Sequence, residues 1–71
     1  MSLVVLIIGE MDQAVETDMR RWWRGHCIKR VKNGETYFEV GYPVRYNVQE
    51  GVKRLASFGV KARAAFRGEG G

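Results

Sequence analysis

Two strand-like runs meet at Lys32-Asn33-Gly34-Glu35. An Asn-Gly pair between such runs is the strongest short-range hairpin signal. A type I′ turn needs positive φ at both central residues, and these two residue types tolerate it. A two-residue turn fixes register, and register fixes which side chains share a face. Strands at about 26–32 and 35–41 then pair Lys32 with Glu35, Val31 with Thr36, Arg30 with Tyr37, Lys29 with Phe38, Ile28 with Glu39 and Cys27 with Val40. One face carries Cys27, Lys29, Val31, Thr36, Phe38 and Val40 and is expected to meet the core. Lys29 is the exception there, with a stem that can lie along apolar surface near an edge. The other face carries His26, Ile28, Arg30, Lys32, Glu35, Tyr37 and Glu39.

The remaining elements follow from periodicity. Leu3-Val4-Val5-Leu6-Ile7-Ile8 is a continuous aliphatic run, the pattern of a strand buried on both faces. It is too short to span a bilayer, which takes about 20 apolar residues, and no cleavage-site pattern follows it. Met11, Val15, Met19 and Trp22 recur at helical spacing, with Asp12 as a candidate N-cap and Gly25 as the expected stop, giving a helix at about 12–24. Glu16 and Arg20 form a favourable i,i+4 pair on it. Asn47-Val48-Gln49-Glu50 resembles a capping box. It opens a second helix striped by Val48, Val52, Leu55 and Ala56 and ended by Gly59. Gly51 weakens that helix by about 1 kcal/mol relative to alanine. Val60, Ala62, Ala64 and Phe66 then alternate with Lys61, Arg63, Ala65 and Arg67, a half-buried strand, before a flexible tail at 68–71.

The order is strand, helix, strand, strand, helix, strand over residues 1–67. That is the ferredoxin-like βαββαβ arrangement, an α+β two-layer sandwich. It predicts an antiparallel four-stranded sheet, the first and third strands central, with two helices on one face. A competing parse makes a strand of 43–46, giving a helix, three strands and a helix with an extra strand at each end. Pro43 argues against a regular central strand there.

A chain of 71 residues is one domain and a marginal one, so oligomerisation or a bound partner is expected. A single cysteine excludes an internal disulfide and fits a reducing, cytoplasmic setting. The formal net charge of +4 favours acidic partners.

The face of the sheet away from the helices shows Arg30, Lys32, Tyr37, Lys61, Arg63 and Arg67 together with Glu35 and Glu39. These six basic and aromatic residues are the candidates for binding RNA or single-stranded DNA, with Tyr37 stacking a base and the cations meeting phosphates. Only one aromatic faces outward, and Thr36-Tyr37-Phe38-Glu39-Val40 lacks the basic-Gly-aromatic pattern of RNA-recognition strands. The plainer account is a solvated sheet with cross-strand pairs such as Lys32–Glu35.

The first strand presents either Val4, Leu6 and Ile8 or Leu3, Val5 and Ile7 to that same face. A row of large aliphatics in water calls for cover. Val4, Val5, Leu6, Ile8 and Trp23 are therefore the candidate protein interface, for a second copy or another protein. In Arg20-Arg21-Trp22-Trp23-Arg24, Trp22 continues the apolar stripe and one of the pair is structural; Trp23 is the interface candidate, while the sequence leaves open which of the two is exposed.

His26-Cys27 offers neither a metal site nor a catalytic pair, since adjacent strand residues face opposite ways and no further Cys or His exists. Gly9-Glu10-Met11-Asp12 is acidic and would repel a phosphate. The sequence points to a non-enzymatic binding module without cofactor, metal or membrane. Its expected role is that of a small regulatory or accessory protein acting through protein contacts, a homodimer or a heteromer. Direct RNA or single-stranded DNA binding is the alternative.

Overall fold

The computed structural model describes residues 2–24, 26–40 and 48–67. They form β1 (Ser2–Ile8), α1 (Gln13–Trp22), β2 (Cys27–Lys32), β3 (Glu35–Val40), α2 (Val48–Ser57) and β4 (Lys61–Arg67). The strands make one antiparallel sheet in the order β2-β3-β1-β4, with β1 and β3 central as the topology requires. The connector at 41–46, the Asn47 cap, the Gly25 stop and the tail at 68–71 lie outside the described residues.

The hairpin has the register that its turn dictates, from Lys32 opposite Glu35 to Cys27 opposite Val40. Asn33 and Gly34 take φ of 51° and 78°, the two positive values of a type I′ turn. α2 ends in a Schellman motif. Gly59 has φ of 80°, its N–H donates to the Ala56 carbonyl, and Val60 N–H donates to the Leu55 carbonyl. α1 stops one residue earlier than its glycine suggests. Trp23 is the C-cap, and Arg24 takes the left-handed position at φ of 56° with its N–H on the Arg21 carbonyl. Asp12 occupies the N-cap through its backbone alone, its carbonyl accepting from Val15 and Glu16.

The main core lies between the sheet and the helices. Val5, Ile7 and Phe38 from the central strands meet Met19 and Trp23 from the first helical segment, and Val48, Leu55 and Val60 from the second. Trp23, not Trp22, is the core tryptophan, at 1% exposure. Its N–H still makes the helical bond to the Met19 carbonyl, so Trp23 stands one turn beyond Met19 on the same buried stripe, and its ring packs 5.3 Å from that of Phe38. Trp22 stays half-buried, under the Arg54 guanidinium at 5.2 Å. The space for Trp23 comes from Gly51, where a Cβ would lie 2.5 Å from its Cζ2. The glycine that looks like a weak point in α2 is the floor of the tryptophan pocket. The Trp23 indole N–H is buried there with no partner among the described residues, at a cost of about 1–3 kcal/mol that the packing must outweigh.

Lys29, the charge on the apolar side of β2, is resolved by a helix. Glu16 accepts from Lys29 Nζ at 2.9 Å and from Arg20 Nε at 3.2 Å, tying α1 to the edge strand. Arg54 does the same between helices, with Nη2 2.9 Å from Asp18 Oδ2.

Candidate functional site

The sheet face without helices carries the six basic and aromatic candidates on three strands, as alternation along β2, β3 and β4 demands. What lies beneath them differs from expectation. Val4, Leu6, Tyr37 and Ala65 form a second small core, each at most 7% exposed. Leu6 sits between Tyr37 on β3 and Arg63 on β4. The tyrosine ring lies over this aliphatic strip instead of standing in solvent.

A two-toothed ion pair closes the strip. Arg67 Nε and Nη2 donate to the two Glu35 oxygens at 2.8 and 2.7 Å. Arg67 is opposite Ser2 at one end of β1, while Glu35 lies beyond Tyr37 toward the other end. A fork between such distant corners closes only where the coil of the sheet brings that diagonal together on this face. The fork's hydrogen bonds hold the Glu35 carboxyl below its ordinary range, and they raise Arg67 in turn.

The consequences for the sequence candidates are direct. Tyr37 is 1% exposed, so no base can stack on it in this conformation. Arg30 is tied to Glu39 at 3.0 Å and Arg67 to Glu35. Lys32, Lys61 and Arg63 have no ion pair among the described residues. Of the proposed interface, Val4 and Leu6 are buried under the tyrosine strip and Val5 under the helices, and Trp23 is core. Only Ile8, at 46% exposure, reaches the surface of the single chain. The expectation of a bare aliphatic row fails because it treated the sheet as flat.

Among the described residues the exposed large apolar side chains are Leu3, Ile8, Ile28, Val31, Phe58 and Phe66. Leu3 and Phe66 face each other across β1 and β4, at 43% and 59% exposure. They share the helix side of the sheet with Val5 and Ala64, but at the row where the main core stops. The alternation of 60, 62, 64 and 66 marks Phe66 as inward in sequence. Only the reach of the helix layer decides that it stays uncovered.

Cys27 is buried and its thiol is pushed up by that burial, opposite to the shift of an activated nucleophile. A concavity after β1, lined by Ile7, Gly9, Glu10, Met11, Lys29 and Thr36, holds an ammonium already engaged by Glu16. Among the described residues no cluster of His, Cys, Asp and Glu could hold a metal, and no helix is long and apolar enough to cross a membrane. No protein-family model, curated protein or solved structure matches this chain.

Proposed function

We propose that this chain is a small basic, non-enzymatic binding module, a regulatory or accessory protein that docks onto another protein in the cytoplasm. The observation that carries the reading is the Leu3–Phe66 pair, two large apolar side chains opposed in register and left in water beside the outer strand of the sheet. A small domain gains from covering such a pair, because each buried Leu or Phe contributes about 1.5–3 kcal/mol. The test is affinity capture from the cells that make the protein, with the wild type and a Leu3→Ser/Phe66→Ser variant as parallel baits. The docking reading expects proteins held by the first and lost by the second. Identical protein sets on both baits, or nucleic acid alone, would refute it.

A second reading rests on Lys32, Lys61 and Arg63, which carry charge on the open face with no ion pair among the described residues. They suit the phosphate backbone of RNA or single-stranded DNA, bound without base stacking. Three such contacts give a slope of about −2 in log K against log salt for a single strand. Fluorescence polarisation of labelled oligonucleotides across a salt series measures it, and a flat response would end this reading.

A further inference from the structure

The outer edge of β4 has no neighbouring strand among the described residues. An open edge is a row of backbone donors and acceptors ready to pair with another extended chain. β4 is sorted by face more sharply than the opposite edge strand. Toward the open face it shows Lys61, Arg63 and Arg67, broken only by the small Ala65, and toward the helices it shows Ala62, Ala64 and Phe66. It carries no acidic residue. β2, the other edge, mixes charge onto both faces, and two of its three cations are spent on Glu16 and Glu39. On β4, neither Lys61 nor Arg63 forms an ion pair among the described residues, although the Arg63 charge also acts on Glu35.

From this sorting we infer that the free edge of β4 takes up an extended segment of a partner protein as a fifth strand, one that alternates acidic and apolar residues. Backbone pairing supplies the affinity of such strand addition, and alternate side chains supply its specificity. The acidic positions would lie over Lys61 and Arg63. The apolar positions would lie against Ala62, Ala64 and Phe66, continuing the exposed strip begun by Leu3. A second copy of this chain is disfavoured as the occupant, because two β4 edges would bring like charges together. The inference rests on the protein-docking reading and gives it a partner chemistry.

The probe is a synthetic peptide as long as β4, alternating valine and glutamate, with a lysine-for-glutamate version as control. Binding is followed by amide chemical shifts and hydrogen exchange of the intact chain. The acidic peptide is expected to shift the signals of 61–67 and to slow exchange at every second β4 amide. It should bind about tenfold more tightly than the lysine version, the gain expected of a few exposed ion pairs. Lys61→Glu/Arg63→Glu should invert the preference, so that the lysine peptide becomes the better ligand. Both residues are exposed, and Lys61→Glu alone gives a milder variant with the same expected direction. Equal binding of both peptides, shifts confined to β2, or no protection of β4 overturns the proposal. So does β4 protection in the free protein that grows with its concentration, which would assign the edge to a second copy. If the peptides ignore β4 while captured proteins still depend on Leu3 and Phe66, strand addition fails and docking stands.

Discussion

Replacing Gly51 by alanine tests the tryptophan pocket, because helix propensity and packing predict opposite signs. In an exposed helix the change would stabilise by about 1 kcal/mol. Here the new Cβ would fall 2.5 Å from Trp23 Cζ2 and 3.2 Å from Cη2. Carbon atoms at rest lie about 3.5–4.0 Å apart, so roughly 1 Å must be found. The indole cannot supply it cheaply, since it is 1% exposed, with Phe38 at 5.3 Å and Trp22 at 5.7 Å between ring centres. Overpacking of this kind costs about 1–3 kcal/mol. With a full ångström to absorb, the upper part of that range applies and the net loss is about 1–2 kcal/mol. In a domain of this size each kcal/mol lowers Tm by about 4–8 °C, so a drop of about 5–15 °C is expected by calorimetry. Trp23→Phe removes the offending ring edge and also the unpartnered N–H. In that background Gly51→Ala should become neutral or stabilising, a coupling of about 2 kcal/mol, within the range for residues in contact. The same sign in both backgrounds, or a stabilising Gly51→Ala in the wild type, would refute the pocket.

Further outcomes test the other devices of the fold. Leu6→Ala should lose about 2–5 kcal/mol in urea unfolding, as a buried leucine does, whereas a leucine facing water would change little. Arg24→Gly should raise stability by about 0.5–1 kcal/mol, since an arginine at φ of 56° pays a left-handed penalty that glycine escapes. A lower Tm in that variant would show that the arginine side chain matters more than its backbone. Glu16 sits below its ordinary value of 4.5, chiefly through the Lys29 hydrogen bond. The unfolded chain therefore takes up the proton first as pH falls. The stability from this carboxylate is present above about pH 4.5 and is lost as pH drops through the lowered folded value. Glu35, held down mainly by Arg67, adds to the same acid decline. Urea midpoints measured from neutral pH downward should fall in this window, and Glu16→Gln should flatten part of the fall. An unchanged acid profile in that variant would remove Glu16 from the explanation.

Much of the architecture was legible because its causes are local. Asn33-Gly34 sets the hairpin register through φ alone, and every predicted pair from Lys32–Glu35 to Cys27–Val40 is present. Gly59 ends α2 for the same reason. The strand order follows from the sequence of elements, since this topology places the first and third strands at the centre. The candidate surfaces were less legible. Alternation assigns a residue to a face of the sheet, and it assigned Tyr37, Arg63 and Arg67 correctly. It does not say how that face curves.

Burial on the open face is therefore a property of the tertiary structure alone. Val4, Leu6 and Tyr37 leave water because the coil of the sheet lets Arg67 reach Glu35 across a diagonal, a distance no spacing in the chain encodes. The choice between the two tryptophans is of the same kind. Spacing from Met19 admits either tryptophan, at i+3 or i+4, and Trp23 fills the core because Gly51, far along the chain, leaves room for its ring. Backbone conformation and face are set by neighbours in sequence, and so the chain alone determines its elements, its register and its strand order. Depth is set by what arrives from elsewhere in the chain, so only the folded structure decides which apolar residues are core and which, like Leu3 and Phe66, stay exposed.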